Sequence, residues 1–229
     1  MRVLGGNTGA DLLGFIFARE SPRYVTPLQV RGILADVQPW RAGVRTVGVF
    51  VNEAPQNVAR LLDFCGLDLA QLHGEEPPEY LGATPGGPAL LRGRAYKGMR
   101  PRSPAEAVDL GRRFALPAEV RRARDLPALL LDAYHPDRRG GTGAVSDWTV
   151  GARLAAEYPI LLAGGLNTGN VADAIVEVRP WGVDVSSGVE ESAGRKSPEK
   201  MKAFVLAARE GGRFAGPNHA GDTQWKRED

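Results

Sequence analysis

The chain has 229 residues, 43% of them hydrophobic, enough for one large α/β domain or two small ones with a sizeable core. Its 29 basic and 27 acidic residues leave a net charge of +2, which gives no electrostatic case for a nucleic-acid or membrane partner. A single cysteine, Cys65, excludes an internal disulfide and a cysteine-based metal site, and three scattered histidines give no metal-ligand spacing.

The first residues, MRVLGGNTGADLLGFIF, lack the charged start and small-residue cleavage pattern of a secretory signal. No apolar run reaches the ~20 residues of a membrane span, so a cytoplasmic enzyme is expected. Short apolar runs then recur in order: Leu12–Phe17, Thr46–Val51, Leu67–Leu72, Ala89–Tyr96, Ala128–Leu131, Ile160–Ala163 and Gly182–Val185, with Arg2–Leu4 as a possible eighth. Several are apolar without alternation, as parallel strands covered by helices are. Helical patterns lie between them, near 27–37, 55–64, 77–82, 104–115, 148–157, 168–178 and 198–210. Start signals support these helices: Thr26 before Pro27, Ser197 before Pro198, and a capping box at Ser103-Pro104-Ala105-Glu106. The basic cluster Arg121-Arg122-Ala123-Arg124 reads as a solvated face.

Alternating strands and helices mean a parallel sheet, closed or open. Seven or eight repeats favour a (β/α)8 TIM barrel, with a first β/α unit that is incomplete; the chain is short against the fold's ~250 residues. Residues 1–210 are predicted to form that single domain, and 211–229 a disordered polar tail.

Residues 159–190 carry the strongest signal. Ile160–Ala163 runs into Gly164 and Gly165, and Gly182–Val185 runs into Ser186-Ser187-Gly188. Glycines let backbone N–H groups approach an anion closely, and Asn167 or Thr168 is expected to cap the helix that follows. In β/α barrels the loops after the last two strands are where a phosphate sits. One Gly-Gly pair alone would be an ordinary tight turn; two glycine turns in succession, the second with paired serines, favour a phosphate cradle.

Several segments resemble the phosphoribosylanthranilate isomerase family. They are GADLLGFIFARESPRYV (9–25), VGVFVN (47–52), QLHGEE (71–76), LLLDA (129–133), GGTG with DW (140–143, 147–148), LAGGLN (162–167) and VDVSSGVE (183–190), in the family's order. The resemblance implies an Amadori rearrangement in tryptophan biosynthesis. N-(5′-phosphoribosyl)anthranilate becomes 1-(2-carboxyphenylamino)-1-deoxyribulose 5-phosphate, without cofactor or metal. An acid opens the furanose ring, a base removes the adjacent sugar proton, and the two ends are held apart. Asp132 is implied as the acid, at the C-terminal end of an apolar strand. Arg23 is implied to grip the anthranilate carboxylate. Gly164, Gly165, Ser186, Ser187 and Gly188 are implied phosphate contacts. His73, Gly141, Thr142 and Gly143 are candidate substrate-orienting positions.

The resemblance also implies a cysteine base in the first strand, where this chain has Gly5, and a first helix where Thr8 passes directly into Gly9. A late start, a mis-assigned start and a deletion all fit that pattern. Cys65 precedes its strand, at the opposite end of a barrel, and is expected to be structural; His135 reads as a loop residue. Weak or absent isomerisation with retained binding is therefore expected of the chain as written. The alternative is a non-catalytic binder of a phosphorylated ligand that has lost its base. A different ribose-phosphate barrel using Lys97, such as indoleglycerol-phosphate synthase, lacks the matching acidic pattern. Oligomeric state is not legible, though dimerisation over the gap is one way to cover exposed sheet edges.

Overall fold

A strand that feeds a helix and then a parallel strand returns beside its predecessor, so alternating signals should pair in chain order. The computed structural model, which describes residues 9–81, 91–124, 126–132 and 148–215, has this arrangement. Seven strands form one parallel sheet in sequential order: β1 (Leu12–Ile16), β2 (Arg45–Phe50), β3 (Leu69–Leu72), β4 (Ala95–Met99), β5 (Leu129–Asp132), β6 (Ile160–Ala163) and β7 (Gly182–Val183). The helices are α1 (Pro27–Val37), α2 (Pro55–Cys65), α3 (Pro104–Phe114), α4 (Ala118–Arg124), α5 (Trp148–Glu157), α6 (Val171–Val178) and α7 (Pro198–Ala215). An antiparallel hairpin, β8 (Glu190–Ser192) and β9 (Arg195–Lys196), precedes α7.

Strands β3, β4 and β6 are buried at every position, because helices cover one face and interior side chains fill the other. The sheet curls until its two edges face a shared cavity, lined by Leu12, Gly14 and Ile16 of β1 and by Val183 of β7. Among the described residues no pairing joins β1 to β7. Among the described residues the architecture is thus a (β/α)8-type barrel of seven paired strands, one unit short of closure, as the sequence predicts. Helix α7 packs against α6. Its Arg209 Nη2 donates to the Gly9 carbonyl oxygen at 2.9 Å and so ties the entry to β1 to the last helix.

Local chemistry explains the helix starts. Thr26 and Gln29 form a reciprocal capping box: the Thr26 hydroxyl accepts from the Gln29 N–H at 3.3 Å, and the Gln29 amide oxygen accepts from the Thr26 N–H at 2.8 Å. Ser103 caps α3 through the Glu106 N–H at 3.2 Å. The Glu106 carboxylate, however, accepts from Arg102 N–H at 2.6 Å, one residue ahead of the cap.

Several boundaries differ from the sequence expectation. Strand β4 starts at Ala95 rather than Ala89 and runs on to Met99; Leu91 is fully buried but belongs to the turn before the strand. Leu67 is likewise buried but lies in the connection after the left-handed Gly66, and β3 starts at Leu69. The 77–82 segment is a single 3-10 turn, Pro78–Leu81. Helix α6 starts at Val171, not Thr168, and neither Asn167 nor Thr168 caps it. An asparagine-held turn closes first: Asn167 Oδ1 accepts from Gly169 N–H and Asn170 Oδ1 from Asn167 N–H, both at 2.8 Å.

Arg121 and its neighbours are the end of helix α4, and Arg121 Nε donates inward to the Leu116 carbonyl at 2.9 Å. Helix α7 continues past Gly211 to Ala215, so the irregular tail does not begin at 211. Position 211 takes glycine inside the helix because α7 lies close on α6: a methyl there would sit 2.8 Å from the Ala172 carbonyl oxygen. Arg2–Leu4 and residues 216–229 lie outside the described residues.

Candidate active site

In a parallel β/α barrel the C-terminal strand ends share one rim, and their loops surround a common opening. Here a cavity of 1930 Å³ runs from that rim along the barrel interior. Asp132, His73, Arg100, Asp184 and the glycine turns after β6 and β7 all line it.

Asp132 ends β5, where the buried run Leu129-Leu130-Leu131 delivers it to the rim. Its Oδ2 accepts from Arg100 Nε at 2.6 Å and lies 3.8 Å from His73 Nε2. The Asp132 side chain is 12% exposed and that of Arg100 67%, so Arg100 can swing away without disturbing the core. Register extends the row across the sheet. Asp132 sits opposite Ala163, and Leu162 opposite Val183, so Asp184 follows one step along beside Ala163. Two interstrand spacings of ~4.8 Å separate the two aspartates by roughly 10 Å along that row. Enclosure by protein atoms, then the Asp132 carboxylate, push the Asp184 carboxyl above its ordinary range, while Lys196 and the Val185 amide pull it back. The Asp184 side chain is open to the cavity, which limits that rise.

The two glycine turns meet. Gly164 (φ +93°) and Gly165 (φ +69°) adopt a backbone that side chains disfavour. The Ser187–Val189 segment forms a 3-10 turn, and any Cβ at Gly188 would overlap the Leu166 carbonyl. Only glycine at 188 lets the second turn rest on the backbone of the first. Gly164, Gly165, Ser186 and Ser187 line the same cavity as Asp132, and Gly188 supports them from behind. Lys196 Nζ donates to the Ser186 carbonyl at 2.8 Å and to its hydroxyl at 3.3 Å, so Ser186 is already engaged.

Arg23 lines the cavity too, but it is not a waiting guanidinium. Its Nε and Nη2 donate to the two Glu190 oxygens at 2.8 and 2.7 Å. Lys196 Nζ adds a third contact to Glu190 at 2.8 Å, and Lys200 Nζ bonds the Glu190 carbonyl at 2.8 Å. Arg23 foremost, then Lys196, lower the Glu190 carboxyl to about 2 against the opposing cost of burial.

His73 stands at the end of β3 with its Nδ1 2.7 Å from Gln71 Nε2. Lys97 points the other way, out of the cavity. Its Nζ bonds Glu76 Oε2 at 2.6 Å and stacks over Phe114 of α3. It is a buried structural ion pair beneath the rim. Cys65 closes α2 at the far end of the barrel, its thiol against the Pro27 carbonyl at 3.6 Å and its pKa raised by burial. Gly141, Thr142, Gly143, His135 and Gly5 lie outside the described residues. Among the described residues no cluster of three histidine, cysteine, aspartate or glutamate side chains could hold a metal. No described helix is long and apolar enough to cross a membrane.

Sequence reasoning passed over Asp184, Arg100, Glu190 and Lys196. Asp184 carried a signal, sitting inside VDVSSGVE at the end of its strand. The hairpin carried one too, since charges flank Gly194 in EESAGRK.

Fold and cavity define a β/α-barrel enzyme with its chemistry at the C-terminal rim. Comparison with known proteins makes this specific. The chain matches the N-(5'-phosphoribosyl)anthranilate (PRA) isomerase family over residues 6–92 and 100–207. It is 44% identical over 207 residues to the N-(5'-phosphoribosyl)anthranilate isomerase of Geobacter sp. (strain M21), spanning 90% of this chain and 91% of that one. The crystal structure of phosphoribosyl anthranilate isomerase from Thermotoga maritima superposes with a TM-score of 0.72 at 33% identity, over 90% of this chain and 91% of that one. A structure of the enzyme in complex with reduced 1-(o-carboxyphenylamino)-1-deoxyribulose 5-phosphate gives 0.70 at 32% identity, over 90% of each chain. The chain belongs to the N-(5'-phosphoribosyl)anthranilate isomerase family.

Proposed function

We propose that this chain isomerises N-(5′-phosphoribosyl)anthranilate to 1-(2-carboxyphenylamino)-1-deoxyribulose 5-phosphate in L-tryptophan biosynthesis. One observation carries the reading: Asp132 and the two touching glycine turns line a single cavity at the rim. Asp132, protonated, gives its proton to the furanose ring oxygen. The bond from that oxygen to the anomeric carbon breaks, and the anilino nitrogen lone pair forms the iminium. A base then takes the proton from the neighbouring sugar carbon, and that C–H electron pair forms the enamine, which ketonises to product. One proton is delivered and one removed, so the step needs no redox partner.

The base is Asp184 in this reading. It faces the same cavity from two strands away, at the same level of the rim as Asp132. Arg100 leaves Asp132 when substrate enters. Arg23 has five N–H donors, of which Glu190 takes two, leaving the Nη1 edge for the anthranilate carboxylate. Its pairing with Glu190 fixes that edge in advance. Gly164, Gly165, Ser186, Ser187 and Gly188 hold the phosphate, chiefly through backbone N–H groups.

Steady-state turnover of the full chain and of Asp132→Asn and Asp184→Asn tests this. Each substitution should lower kcat by roughly 10²–10⁴-fold, the usual worth of a positioned acid or base, with product-analogue affinity changed by less than about tenfold. The same assay measures how far turnover falls short of a relative with a first-strand cysteine. Unchanged kcat in Asp132→Asn would remove the reading.

A further inference from the structure

Gln71 and Tyr96 are register partners on β3 and β4, so their side chains stand side by side on the interior face. His73, two residues on from Gln71, shares that face at the rim. The three are joined. The Tyr96 hydroxyl donates to Gln71 Oε1 at 3.2 Å, and Gln71 Nε2 lies 2.7 Å from His73 Nδ1. The ring is further held by its own backbone, whose N–H donates to the Phe50 carbonyl at 2.8 Å. Gly98 of β4 backs it: a methyl there would meet ring atoms at 3.0 Å.

We propose that this Tyr96–Gln71–His73 chain fixes His73 as the Nε2–H tautomer, making it a positioning residue that aims a hydrogen-bond donor at Asp132. The inference rests on the acid role given to Asp132 above. An amide oxygen only accepts and an amide nitrogen only donates. With Tyr96 donating to Oε1, Gln71 turns its NH₂ to Nδ1, which must then accept, and the ring proton is left on Nε2. Turning the Gln71 amide over would reverse the tautomer. It would also make the hydroxyl of the buried Tyr96 accept from Gln71, leaving its proton with no acceptor among the described residues. Burying an unmade hydroxyl bond is the costlier arrangement, and that decides between the two.

His73 Nε2 is buried, has no hydrogen-bond partner among the described residues, and lies 3.8 Å from Asp132 Oδ2. The charged groups around the ring are Asp132 on β5, Arg100 after β4, Lys97 on β4 and Glu76 after β3. Burial, then Arg100, lower its pKa more than Asp132 raises it, so the ring is neutral at neutral pH. A neutral donor next to Asp132 suits an acid. It leaves the proton on Asp132 until the ring oxygen takes it. It then closes on the new carboxylate, keeping its own proton throughout.

The test is ¹⁵N NMR of the full chain labelled in histidine, without substrate, with the His73 signal identified by loss in His73→Asn. The wild type should show a neutral ring at pH 7 with an unprotonated Nδ1. Gln71→Glu replaces the donor facing Nδ1 with an acceptor. It should move the proton to Nδ1, lower kcat roughly ten- to hundredfold, and add a titration near neutrality to the kcat–pH profile. Tyr96→Phe removes only the hydroxyl and should leave a mixture of tautomers, a second readout if Gln71→Glu folds poorly. A wild-type Nδ1–H tautomer, a charged ring at pH 7, or spectra indifferent to both substitutions would overturn the proposal. The tautomer is read without turnover, so an inactive chain with the correct spectrum would count against the isomerase reading and not against this one.

Discussion

Glu190→Gln probes the interaction that fixes Arg23. The carboxyl lies at about 2 in the fold against its ordinary 4.5. That gap corresponds to roughly 3 kcal/mol of folding stability at neutral pH. The Glu190 side chain is 5% exposed and that of Arg23 25%, so solvent screens the pair only in part, and roughly 2–3 kcal/mol is the expected loss. For a domain this size that is a fall in Tm of roughly 5–10 °C. A depressed carboxyl contributes its stability above the unfolded pKa and loses it as pH falls toward the folded one. The wild-type advantage should therefore be full above about pH 5 and shrink between 4.5 and 2, whereas glutamine cannot titrate. Urea unfolding of both proteins, followed by tryptophan fluorescence at stepped pH from 7 to 3, reads this difference directly. A gap under ~0.5 kcal/mol at pH 7, or one unchanged down to pH 3, would refute the reasoning.

Gly188→Ala should cost ~3 kcal/mol or more, because its Cβ cannot coexist with the Leu166 carbonyl and the two turns must part. Thermal shift with inorganic phosphate should show wild-type stabilisation that the variant lacks; equal stabilisation of both would detach the turns from anion binding. Cys65→Ser sits at the opposite end of the barrel from Asp132 and should leave kcat within about twofold. It should lower stability by roughly 1 kcal/mol through its buried hydroxyl, measured by urea unfolding. A large loss of turnover there would contradict the structural role assigned to that thiol.

What was legible in the sequence was whatever the backbone dictates locally. The ends of α1 and the whole of β6 follow from proline, capping and apolar-run signals, α5 from its helical pattern, and they fall where predicted. Leu91 and Leu67 misled for one reason: burial makes a residue apolar whether it lies in a strand or in the connection beneath one, and only backbone pairing separates the two cases. The rim position of Asp132 was legible because strand-end position is local; its role came from the family resemblance. The partners that decide its behaviour were not. Arg100 reaches it from the end of another strand, and His73 from the strand before that. Arg23 is the sharper case. Its proposed role came from the family resemblance alone, and the residue that orients it, Glu190, lies 167 positions away in sequence, brought back by the curl of the sheet. A guanidinium alone on a loop is floppy and solvated; one gripped on two donors by a buried carboxylate presents a fixed edge. Chain order names the charges at this rim, and the curl of the sheet decides which of them already pair with each other.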